Sequence, residues 1–153
     1  MARITKEQKS ANLEAYNAVV LKIFLEEGYR VITYARLAEE LGIRQSTLQG
    51  YYPSSSDFIL ALKGKLLPIM LKHLSFESKD RFFESWMNGL QVTQFRNVIA
   101  VVLSTANLEN PSEFNYQGIT SLDNLLKEHF GHEHRDILES VLGRSFLFLN
   151  QYK

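Results

Sequence analysis

Cysteine is absent from the 153 residues, which rules out a disulfide frame, a thiolate metal site and a thiol redox switch, and suits a reducing cytoplasm. Proline is scarce, and Pro53, Pro68 and Pro111 each read as helix punctuation. No apolar run approaches the ~18 residues that a membrane helix needs, and the opening MARITKEQKS has no apolar signal core. The expectation is a soluble, cytoplasmic protein without a membrane partner. Excess charge is missing too, with 17 Lys/Arg against 17 Asp/Glu. No nucleophile elbow, phosphate loop or dinucleotide glycine fingerprint occurs, so catalysis has no visible constellation and neither enzyme activity nor a cofactor is expected.

What is present is apolar and helical. At 45% apolar residues the chain can bury a core, removing roughly two-thirds of its unfolded surface. A first helix is expected from about Ser10 to Glu27, with Leu13, Tyr16, Val20, Ile23 and Phe24 at helical spacing and Gly28 as its stop. Residues Thr33 to Phe58, TYARLAEELGIRQSTLQGYYPSSSDF, then place two short helices around a glycine turn. Thr33 can cap the first of these, Leu37, Ala38 and Leu41 face a core, and Gly42 ends it. Ile43 re-enters the core. The second, from about Gln45 to Tyr52, turns Leu48 and Tyr52 inward and leaves Gln45, Ser46, Gln49 and Gly50 outward. Pro53 stops it, and Ser54 with Asp57 has the capping-box spacing for a helix running through Phe58, Leu62 and Ile69. Pro68 should kink or end that helix near residues 64–68, either as a hinge or as a plain terminus.

This order of residues resembles the amino-terminal DNA-binding domain of the tetracycline-repressor (TetR) family over about residues 8 to 62. The resemblance rests on Gly28-Tyr29, Thr33, Leu37-Ala38, Leu41-Gly42-Ile43, Thr47-Leu48, Tyr51-Tyr52 and Ser54. It implies an all-α chain: a three-helix helix-turn-helix domain over residues 1–55, then a short helical dimerisation and ligand domain over 56–153. It also implies a homodimer on a palindrome of double-stranded DNA, repression, and release by a small-molecule effector. On this reading Thr33, Arg36, Arg44, Tyr51, Lys63 and a basic arm of Arg3, Lys6 and Lys9 touch phosphates, while Gln45, Ser46, Thr47 and Gln49 read bases. Residues 1–65 carry nine Lys/Arg against seven Asp/Glu, a net +2, and the remainder is at −2.

Four positions depart from the family pattern, among them Arg44, where a capping Ser is frequent; the other three bear on DNA binding. Gln49 and Ser55 replace a phosphate-touching Tyr and a Lys, and Gly50 costs about 1 kcal/mol relative to Ala inside a helix while offering a base no side chain. These departures motivate the rival reading, a helical protein-interaction module on the same scaffold that has lost specific DNA binding.

Further helices are expected at about 79–89, 93–108 and 113–130, and from near His134 to the end. Phe82, Phe83, Trp86, Met87 and Phe95 are either core or the lining of an effector site, which would place Phe82, Trp86, Phe95 and Ile99 around the ligand with Asn97, Ser104, Thr105 and Asn107 as polar groups. His129, His132 and His134 straddle Gly131 and lack the one-face spacing of metal ligands, so no metal is expected. Leu122, Leu126, Leu138, Leu142, Phe146 and Leu149 are expected at the dimer interface, with Gly143 permitting close approach, because the last helix is apolar on too many sides for one partner.

Overall fold

A computed structural model describes residues 3–104 and 113–151, and all regular structure among them is helical. The chain forms two compact units, Met1–Lys63 and Gly64–Lys153.

In the first unit, α1 spans Lys6–Glu27, α2 Tyr34–Leu41 and α3 Gln45–Gln49, followed by a 3₁₀ helix at Ser55–Leu62 that packs on α1. Thr5 caps α1, accepting a hydrogen bond from the Gln8 amide at 3.1 Å, so the helix begins four residues before the expected Ser10. Lys6 and Lys9 therefore lie in its first turns instead of on a preceding arm. Val20, Ile23 and Phe24 from α1, Leu37 and Ala38 from α2, Leu48 from α3, and Tyr52, Phe58, Ile59 and Leu62 form the core. Phe58 sets its ring against those of Tyr34 and Tyr52, each centroid 5.0 Å away.

The Ser54–Asp57 capping box forms as expected, but the helix it starts ends at Leu62 instead of running on to Ile69. Gly64 adopts φ +76, a left-handed conformation open to glycine, so the helix does not continue through it. The break therefore lies upstream of Pro68. Pro68 occupies the first turn of α4, Leu66–Leu71, where its missing amide would have no partner within the helix.

The second unit comprises α4, α5 at Lys79–Gly89, α6 at Thr93–Ser104, α7 at Glu113–Phe130 and α8 at His134–Gln151. Residues Thr105 to Pro111, on which the end of the helix after Thr93 was expected, lie outside the described residues. NVIAVVL is helical, with Phe95, Val98, Ile99 and Val101 buried. Gly131 at φ +64 ends α7, and a three-residue 3₁₀ turn leads into α8. The Asp123 carboxylate meets the His134 imidazole at 2.6 Å and the Arg135 guanidinium at 3.3 Å, tying α7 to the start of α8.

Candidate nucleic-acid interface

The interface is built from local chemistry. The Thr33 hydroxyl accepts from the Arg36 amide at 3.1 Å and starts α2, and Gly42 ends it at φ +67. A Cβ on Gly42 would meet nothing within 4 Å, so glycine is favoured there by its backbone conformation alone. The turn is closed by the Ile43 amide on the Ala38 carbonyl at 3.1 Å. Leu48 and Tyr52 anchor the next segment inward. With those two positions buried, Arg44, Gln45, Ser46, Thr47 and Gln49 are all exposed on and beside α3. This helix stops at Gln49, three residues short of the expected Tyr52. Gly50 is right-handed at φ −71, so its backbone does not demand glycine.

The other expected DNA contacts are held less openly. The Arg36 guanidinium donates to Glu40 and to Glu27, each at 2.9 Å, with Lys22 3.7 Å from the same Glu40. Its hydrogen bond to Glu40 raises the arginine pKa and lowers that of the glutamate. Arg36 thus cross-links α1 and α2, and a phosphate would have to compete with two carboxylates for it. Tyr51 does not stand clear of the fold. It is half-buried, edge-on to Tyr16 at 5.0 Å, and its hydroxyl accepts from the Asn12 amide at 3.1 Å. Lys63 is exposed at the end of the first unit. Asn12 is not among the expected residues: it shares one helical face with Lys9 and Tyr16, but its partner Tyr51 lies 39 residues away in the sequence.

In the second unit the four residues expected around a ligand are packed against one another and their neighbours. Phe82, Trp86, Phe95 and Ile99 are buried, the Trp86 and Phe95 rings meet edge-on at 5.2 Å, and Phe82 lies 5.9 Å from Trp86. A Cβ on Gly89 would stand 3.0 Å from the Phe95 ring. The Trp86 indole donates to the Ser145 hydroxyl at 2.8 Å, which donates onward to the Val141 carbonyl at 2.6 Å. Asn97 is half-buried and Ser104 exposed, while Thr105 and Asn107 lie outside the described residues. The histidines have separate partners: His129 stacks on Phe76 at 4.5 Å, and His134 meets Asp123.

The residues expected at a dimer interface divide. Leu122, Leu126 and Leu138 are buried within their own unit, and Leu142 and Leu149 are half-buried. Phe146 is 58% exposed, beside Leu147 at 63%. The inward stripe of α8 is Ile137, Leu138, Val141, Ser145 and Phe148, with Ser145 bonded to the Trp86 indole.

No curated protein matches the chain. Residues 63–149 match the profile of the family described as the tetracycline repressor LuxT C-terminal domain. Since that match takes in more than half of the chain, the protein belongs to this tetracycline-repressor (TetR) type family.

Proposed function

We propose that the protein is a sequence-specific, DNA-binding transcriptional regulator, acting as a homodimer and repressing by occupying a palindromic operator. The observation that supports this best is the exposed row Arg44, Gln45, Ser46, Thr47 and Gln49 on and beside α3, while Leu48 within the helix and Tyr52 beyond its end are buried. Amides at Gln45 and Gln49, four residues apart, can each donate and accept at an adenine edge. Arg44, Thr33, Lys63 and the lysines in the first turns of α1 supply phosphate contacts. The exposed Phe146 and Leu147, beside the half-buried Leu142 and Leu149, supply the face for a second copy. An effector entering between Phe82, Trp86, Phe95 and Ile99 must part rings that are in contact, so its binding would alter the fluorescence of Trp86, the only tryptophan.

Selection of bound duplexes from a random pool tests the reading. Wild type is expected to return a palindromic consensus, and Gln45→Ala and Gln49→Ala are expected to change it at defined positions. A pool that shows no enrichment would favour a protein-interaction module, to which the engagement of Arg36 by Glu27 and Glu40 also lends support.

A further inference from the structure

Tyr51 and Tyr52 are adjacent, yet their hydroxyls are used in opposite senses. The buried Tyr52 phenol donates its proton to the Asn17 side-chain carbonyl at 2.6 Å, so that proton is committed inside the fold. Burial also pushes its pKa up to about 12. Tyr51 accepts instead, from the Asn12 amide nitrogen at 3.1 Å. A phenol carries one proton and can both donate and accept. With Asn12 donating to the oxygen, the proton of Tyr51 must point away from Asn12, and no described residue accepts it.

The ring is held on two further sides. Tyr16 meets it edge-on with planes at 80°, and the Lys9 ammonium lies 5.4 Å from its centroid. Lys9, Asn12 and Tyr16 share one face of α1, and Tyr51 follows the exposed end of α3 by two residues. A fixed hydroxyl with an uncommitted proton, next to an ammonium and a base-reading helix, is matched to an oxyanion. We propose that Asn12 is a positioning residue for DNA binding, holding the Tyr51 hydroxyl so that it donates to a backbone phosphate beside Lys9. This rests on the DNA-binding reading above.

The test uses the full chain and mixed-sequence duplex DNA at several salt concentrations, with thermal unfolding measured alongside. Tyr51→Phe keeps the ring and removes the proton, and is expected to weaken binding roughly ten-fold or more, the size of one hydrogen bond to a charged acceptor. Asn12→Ala is expected to weaken it by a similar factor in wild type and by nothing further in the Tyr51→Phe background. Neither variant should change the slope of log affinity against log salt, because neither removes a charge, whereas Lys9→Ala should lower its magnitude by about 0.9. A brace with no role at DNA predicts instead that both variants lower thermal stability, again without adding because each disturbs the same hydrogen bond, while the folded chain binds as wild type does. Tyr51→Phe binding as tightly as wild type, or Asn12→Ala weakening binding on top of Tyr51→Phe, would overturn the proposal. A wild type with no salt-sensitive complex would overturn the DNA-binding reading itself, and the two failures are told apart by wild type alone.

Discussion

The two units hold their important side chains by different physics. In Met1–Lys63, helices are fixed by Thr5, Thr33 and the Ser54–Asp57 box at their starts, and Tyr51 and Tyr52 are set by amide partners on α1. In Gly64–Lys153, Phe82, Trp86 and Phe95 interlock, and Ser145 is the only polar residue among the described ones that is fully buried. Hydrogen bonds orient groups at modest individual strength, while aromatic packing supplies bulk stability. The first unit is thus arranged for placing donors at a surface, and the second for resisting deformation.

That contrast is broken most forcefully at Trp86. Trp86→Ala should cost about 3–5 kcal/mol, through a cavity in the aromatic core and the loss of the indole hydrogen bond to Ser145, seen as a lower denaturation midpoint. A loss under 1 kcal/mol would mean that the core relaxes around the gap. Next in size, Phe146→Glu with Leu147→Glu should yield monomers that keep their helical content and bind operator on the order of 100-fold more weakly, since the second reading head is no longer tethered. Sedimentation shows whether the wild type is dimeric at all.

A smaller effect separates the units by pH. Tyr52 has its folded pKa raised from 10.0 to about 12, so the neutral phenol is favoured by folding. Its contribution is complete below pH 10 and is lost as pH rises from there through about 12, because the unfolded phenol ionises first. Alkaline denaturation should therefore show a decline in that window that Tyr52→Phe flattens. Smallest of all, Gly50→Ala should be neutral or stabilising by up to about 1 kcal/mol, because its backbone is right-handed and the added Cβ would meet only the Thr47 carbonyl at 3.4 Å.

Features written in neighbouring residues were legible in the sequence. The cap at Thr33, the box at Ser54 and Asp57, the stop at Gly42 and the inward Leu37, Leu48 and Tyr52 depend on spacings of a few positions, and the structure has them all. The cap at Thr5 is equally local, since Thr5 and Gln8 have capping-box spacing. Features that depend on a partner far along the chain were not legible. Glu27 holding Arg36 and Asn12 holding Tyr51 join residues 9 and 39 apart. The inward face of α8 was not legible for the same reason. With apolar residues at 137, 138, 141, 142 and 146–149, pattern alone does not choose a face, and a serine paired with a tryptophan 59 residues away decides it. Gly64 and Pro68 both signal an interruption, and it fell at the glycine because proline is tolerated in a first helical turn.

The central claim is that the exposed side of α3 and its flanking cations engage DNA. It is tested most directly by the affinity of the full chain for its selected operator as a function of salt. The account predicts a linear fall of log affinity with log salt, with a slope of about −0.9 for each phosphate neutralised. Arg44→Ala should reduce the magnitude of that slope by about one such increment while leaving the fold intact, since Arg44 is exposed and its side chain does not cap α3. A wild type that forms no complex, or one whose binding is indifferent to salt and to Arg44→Ala, would contradict it.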